Sequence, residues 1–163
     1  MRRLIVADTG PLVVLAKLNH LPLLAQCYQS IQIPQAVYTE ATVLAHRQDT
    51  GRITAFVSGH VEVIANIPQS DDEYLDFGLD VGETQAILLA RRSQCPVLMD
   101  EKRGRAVAKR ENVAVLGTLG LLLVAKQQGL IKAITPLLGQ MQEHQYRLSS
   151  NLIERVKLLA GEE

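Results

Sequence analysis

Leu4-Ile5-Val6-Ala7-Asp8-Thr9-Gly10-Pro11 is the stretch that decides how this chain folds. Leu4 to Ala7 is an unbroken apolar run, without the alternation of a strand that has one wet face. Such a run fits a strand buried on both sides in a parallel sheet. It stops at a carboxylate, and Thr9-Gly10-Pro11 is suited to capping and opening a helix. A strand that ends in Asp and turns at once into a helix leaves that Asp at the strand's carboxyl end. Open α/β sheets bind ligands at that edge, so Asp8 is the first candidate site residue.

Working outward, Pro96-Val97-Leu98-Met99 repeats the arrangement and ends at Asp100. Ser30 to Ile33, Val61 to Ala65 and Val113 to Leu116 read as further strands, the second of them at a sheet edge. Helices are predicted over Leu12 to Leu18, Leu21 to Tyr28, Pro34 to His46 and Thr84 to Arg92. Others run from Glu101 to Arg110, from Leu119 to Gln128 behind a Thr118 cap, from Thr135 and from Ser149 or Ser150. Asp49 to Gly59 is helix or loop, Pro68 to Asp72 a polar linker, and Glu73 to Phe77 a helical turn. Strand–helix units throughout predict an α/β fold, a parallel β-sheet with helices on both faces. At 163 residues the chain suits one domain, 1–163, with C-terminal helices from about residue 132.

Composition narrows the functional classes. The chain is 47% hydrophobic and 21% charged, and its net charge is zero, so no global basic field draws in nucleic acid and any such contact rests on local patches. No apolar run approaches a membrane span, and the run after Arg2 and Arg3 breaks too early for a signal peptide. The expected setting is soluble and cytoplasmic. Cys27 and Cys95 have no metal-ligand spacing and read as free thiols, and His20, His46, His60 and His144 are scattered.

Two more carboxylates stand out. In the helix from Pro34, Val37, Glu40, Ala41 and Leu44 share one face, which sets Glu40 in an apolar stripe or at its solvent edge. Asp80-Val81-Gly82-Glu83 matches a capping box, and Glu83 also falls in line with Ile87 and Ala90 on the inward face. Asp8, Glu40, Glu83 and Asp100 together describe four acidic groups converging on one crevice. A hard divalent cation, Mg²⁺ or Mn²⁺, resolves their repulsion and suits phosphodiester hydrolysis.

These pieces resemble the PIN-domain family, in the prokaryotic branch of VapC-type toxins. The resemblance is carried by Asp8 to Leu12, Ile33 to Glu40, Leu79 to Ile87, Leu98 to Glu101 with Arg105, and Gly117 to Gly120. It implies a three-layer α/β/α fold and a metal-dependent endoribonuclease, the toxin of a toxin–antitoxin pair. By that similarity Asp8, Glu40, Glu83 and Asp100 are the catalytic, metal-binding residues, Glu101 assists, and Thr9 and Thr118 orient a carboxylate or water. It further implies an RNA substrate, a small antitoxin protein, a homodimer, and products with 5′-phosphate and 3′-hydroxyl ends. Gly10 stands where the family often has Ser, and Gly104 replaces a common Ala.

The helix from Glu101 offers Lys102, Arg103, Arg105, Lys109 and Arg110, either as RNA phosphate contacts beside Asp100 or as a solvated face. With 4% aromatic residues and no Trp, stacking platforms are scarce. The Asp8-Thr9-Gly10 tripeptide also occurs in aspartic proteases, but those are β-rich and this chain is not. A catalytically inactive PIN-like module that binds RNA or protein is the alternative from another class.

Overall fold

A computed structural model describes residues 2–43, 47–68 and 77–163. The expected positions of Leu44 and His46, most of the linker from Pro68 and the helical turn from Glu73 lie outside them. Five strands form one parallel sheet: β1 (Arg2–Ala7), β2 (Tyr28–Pro34), β3 (Val61–Ile64), β4 (Val97–Leu98) and β5 (Val115–Leu116). Their order is β3-β2-β1-β4-β5. β1 is central, and Ile5, Val6 and Ala7 are fully buried, as the unbroken apolar run required. β3 takes the sheet edge, where its one polar position is tolerated.

The chain builds outward from β1 to β3, then crosses back to place β4 on β1's other side. That reversal is a topological switch point, and it opens a crevice between the carboxyl ends of β1 and β4. The register pairs Ala7 with Leu98, which sets Asp8 and the residues after Leu98 at one edge. β4 and β5 are shorter than their apolar runs, but Met99 N–H still donates to Leu116 O at 2.9 Å and carries the ladder one bond further.

Among the described residues the helices are α1 (Thr9–Lys17), α2 (Pro22–Cys27), α3 (Gln35–Val43), α4 (Arg47–His60), α5 (Val81–Ser93), α6 (Lys102–Arg110), α7 (Thr118–Gln127), α8 (Thr135–Glu143) and α9 (Ser150–Leu159). With the sheet they form the layered α/β/α arrangement expected from the sequence. Two starts differ from expectation. α1 begins at Thr9 with Asp8 in the cap position, so Thr-Gly-Pro lies inside the first turn. α7 begins at Thr118 with Gly117 as cap, because Thr118 spends its N–H and hydroxyl on Asp100 rather than on its own helix.

The C-terminal helices are tied back by one carboxylate. Glu162 accepts from Ile134 N–H, Thr135 N–H, the Thr135 hydroxyl and Lys126 Nζ, at 2.6 to 3.0 Å. Those donors hold its carboxyl well below the usual range. It supplies α8 with the N-terminal acceptor that Ile134, at the cap, has no side chain to give. Among the described residues, no helix is long and apolar enough to cross a membrane.

Candidate active site

At the switch point a cavity of about 960 Å³ is lined by Asp8, Glu40, Asp80, Glu83, Asp100 and Glu101 at one end. Three helix starts and the body of α3 deliver these groups, so the acidic end is assembled from four separate parts of the chain.

Asp8 is 5% exposed. Its backbone has extended cap geometry, φ −89° and ψ 168°, yet its side chain makes no capping bond. Oδ1 is buried without a hydrogen-bond partner among the described residues. Burial pushes its carboxyl from 3.8 up to about 7; the adjacent Thr9 N–H opposes the rise, and the charges of Glu83, Glu40 and Asp80 add to it.

Glu40 lies half-buried on α3, and its Oε2 sits 2.7 Å from where a Cβ on Gly82 would stand. It neither sits in the middle of an apolar face nor swings free into solvent: it lies across the bare first turn of α5. Burial raises its carboxyl and the Asp80 charge adds, with Thr9 opposing.

Glu83 satisfies both readings of its position. Its N–H donates to Asp80 Oδ1 at 2.8 Å and its Oε1 accepts from Asp80 N–H at 3.4 Å, a complete capping box. Its Oε2 meanwhile lies 3.2 Å from the Cβ position of Gly104, facing α6. Burial, then the Asp80 charge, pushes its carboxyl up to about 7. A Cβ on Gly104 would also fall 2.5 Å from Met99 Sδ, which accounts for glycine at this position.

Asp100 is exposed and held by α7. Thr118 N–H donates to Oδ1 at 2.8 Å and the Thr118 hydroxyl to Oδ2 at 2.6 Å. An anion so placed also meets the positive end of the helix dipole. Arg105 Nη1 and Asp100 Oδ1 crowd the same side of Gly117, 2.6 and 3.2 Å from its Cβ position. Thr9 and Glu101 line the cavity too.

The donor set is all carboxylate oxygen, which suits a hard divalent cation. The partnerless Oδ1 of Asp8 is a buried acceptor of the kind such an ion satisfies. Among the described residues, however, no three acidic, histidine or cysteine side chains stand close enough to hold one ion as placed. The carboxylates line one crevice without closing into a cage.

The five cations of α6 do not act as one patch. Lys102 and Arg105 line the cavity. Arg103 donates to Gly78 O at 2.9 Å, and Arg110 lies over the Phe77 ring at 5.8 Å and 3.7 Å from Glu111. Lys109 is exposed and outside the cavity lining.

Two groups of lining residues escape the sequence reading. Asp80 looks like a helix cap and nothing more, but its charge acts on Asp8, Glu40 and Glu83. Tyr146, Arg147 and Arg155 form the far wall, from the α8–α9 connection and α9. Burial raises the Tyr146 hydroxyl, with smaller contributions from Asp49 and Asp100. The basic pair Arg147 and Arg155 is separated by a helix start, so no local charge run announces it.

Compared with known families, residues 4–162 match a family model described as a PIN domain. No curated protein matches the chain.

Proposed function

The chain belongs to the PIN-domain family, whose members are in general nucleases that use divalent metal ions, and on that premise we propose that it is a Mg²⁺- or Mn²⁺-dependent endoribonuclease. Asp8, Glu40, Glu83 and Asp100 would hold the metal and serve as the catalytic residues. When bound, the ion supplies an activated water near neutral pH and a counter-charge to the phosphate oxygens. The carrying observation is Asp8: a carboxyl buried to 5% exposure, with an oxygen that no hydrogen bond satisfies among the described residues. With five more carboxylates on the same cavity, it marks a place where a positive charge belongs.

The residues divide the work. Thr118 fixes the Asp100 carboxylate through both its oxygens. Thr9 and Glu101 stand at the same wall as supporting groups. Lys102 and Arg105, on the cavity, contact RNA phosphates; Arg103, Lys109 and Arg110 lie further out and contribute only to long-range attraction. Hydrolysis breaks the P–O3′ bond, puts the water oxygen on phosphorus and a proton on O3′, and leaves 5′-phosphate and 3′-hydroxyl ends.

The biological role proposed is the cytoplasmic toxin of a toxin–antitoxin pair, acting as a homodimer and held in check by a small antitoxin protein. A second reading, a PIN-like module that binds RNA or protein without cutting, is favoured by one observation: no three acidic side chains are gathered tightly enough to hold an ion as placed. Cleavage mapping on total RNA from the source cell, with Mn²⁺ added, separates the two. Defined cuts that Asp8→Asn reduces about a hundredfold or more support the nuclease; intact RNA with wild-type protein and metal supports the binding module.

A further inference from the structure

The cavity is far larger than one phosphate and its ions require. Beyond Asp100 it continues over an apolar floor, including Val14, Leu119 and Met141, to Tyr146 and the arginines Arg147 and Arg155. The ring of Tyr146 is held in place by the way α8 stops. Gln145 takes a left-handed conformation, φ 69°. Tyr146 N–H then donates to Met141 O at 3.0 Å and Gln145 N–H to Gln142 O at 2.9 Å. That double bond pattern is a Schellman stop, which brings the residue after the left-handed one onto the side chain five positions back. Tyr146 accordingly packs against the small cluster of Val14, Leu18 and Met141, apart from the main core. Among the described residues, Arg147 and Arg155 enter no ion pair.

We propose that this half of the cavity is a nucleoside subsite: the Tyr146 ring and apolar floor stack one base of the RNA next to the scissile phosphate, and Arg147 and Arg155 hold that nucleotide's phosphate. The assignment rests on the nuclease reading and adds the substrate's path to it. Charge favours this occupant. Repelled by six carboxylates at one end, a polyanion needs cations to enter, and the far wall supplies two that pair with no acidic group among the described residues. The described lining carries no Asn, Gln or Ser side chain, and with Arg147 and Arg155 engaged on phosphate, stacking on Tyr146 is the main contact to the base, which tolerates any base. A protein segment is the other occupant such a groove could take, but the groove runs on from the carboxylate crevice where RNA lies on the nuclease reading, and that continuity favours the nucleotide.

The test uses the full chain in two backgrounds. With Asp8→Asn, binding of a fluorescein-labelled twelve-nucleotide single-stranded RNA is measured by anisotropy over a salt series. Adding Tyr146→Leu, which keeps an apolar side chain, is expected to weaken binding about fivefold or more, the lower bound for losing one base–aromatic stack. Arg147→Gln and Arg155→Gln each lower the salt slope by about 0.7. In the active protein the same changes raise KM more than they lower kcat, and mapped cuts show no base preference beside the cleaved bond. If wild type cuts RNA and Asp8→Asn does not, but all three variants leave affinity, slope and KM unchanged, the subsite is wrong and the nuclease stands. If wild type neither binds nor cuts RNA, both readings fall.

Discussion

Two helices of this protein open on an Asp with a Gly two residues later: Asp8-Thr9-Gly10 at α1 and Asp80-Val81-Gly82 at α5. The cap residues have nearly the same backbone, φ −89° and ψ 168° against φ −71° and ψ 173°. Asp80 spends its carboxylate on the helix, accepting from Glu83 N–H in a full capping box. Asp8 does not cap α1, and its Oδ1 is left buried with no hydrogen-bond partner among the described residues. The glycines differ too. A Cβ at Gly10 would meet nothing within 4 Å, whereas one at Gly82 would strike Glu40 Oε2. One local pattern thus builds a helix start in one place and withholds a carboxylate from it in the other. The withheld group is the one that points to chemistry.

The contrast breaks first on stability. Between 3.8 and about 7 the folded protein keeps a proton on Asp8 that the unfolded chain has lost. More protons bound in the native state means that this contribution falls as pH rises through that window. A carboxyl moved that far corresponds to at most about 4 kcal/mol. In chelator, urea unfolding of Asp8→Asn and wild type should therefore diverge from pH 4 to pH 7.5, the variant gaining by up to that amount. Asp80→Ala should instead lose about 1 kcal/mol, as an ordinary cap does, partly offset near neutral pH because its charge no longer opposes those of Asp8, Glu40 and Glu83. Parallel stability curves for Asp8→Asn and wild type would show that burial does not strain Asp8.

The two glycines give the next largest difference. Gly82→Ala pushes Glu40 aside, and because Oε2 is the tip of a flexible side chain the fold yields easily. Helix propensity even favours the change by about 1 kcal/mol. Moving a reacting group by about 1 Å can cost up to a hundredfold in rate, so cleavage should fall at least about tenfold while Tm holds or rises. Gly10→Ala, facing open space, should leave cleavage within about twofold. Equal effects at both positions would remove Glu40 from the site.

Much of this fold could be read from the chain because β1 and β4 are buried on both faces, and that burial writes itself as unbroken apolar runs ending in Asp8 and Asp100. The parallel sheet and flanking helices followed from the alternation of such runs with helical periodicity. Less legible was anything that depends on which surfaces meet. Periodicity gave Glu40 a helix face but could not say that the face opposes Gly82. Asp80 hid behind a correct local explanation, since a capping residue needs no second role. The wall of Tyr146, Arg147 and Arg155 is set by a left-handed Gln145 and by Glu162 bonding to Ile134 across 28 positions. Neither leaves a signal in a window of a dozen residues.

A subtler effect separates the two duties of Asp80. Asparagine caps helices as well as aspartate does, so Asp80→Asn keeps the α5 start and deletes only the charge. That charge raises Asp8, Glu40 and Glu83 alike. The acid limb of the cleavage profile should therefore move to lower pH, with Tm nearly unchanged. Metal binding should improve at pH 6, where a cation competes with protons for Asp8 and Glu83. A limb that stays in place would confine Asp80 to capping.

The smallest expected effect concerns α6, which divides the way the two Asp–Gly starts do. Its first turn faces the cavity through Lys102 and Arg105, while its far end is engaged elsewhere: Arg110 lies over Phe77 and beside Glu111, and Lys109 is exposed. A high count of cations on one helix suggests a binding strip, but a phosphate near the carboxylates can touch only the first turn. Lys109→Gln should leave cleavage unchanged and alter the salt slope of RNA binding by less than Arg105→Gln, which should lower it by about 0.7. If Lys109 matters as much as Arg105, the RNA runs along the outside of α6, and the acidic crevice is not where its backbone lies.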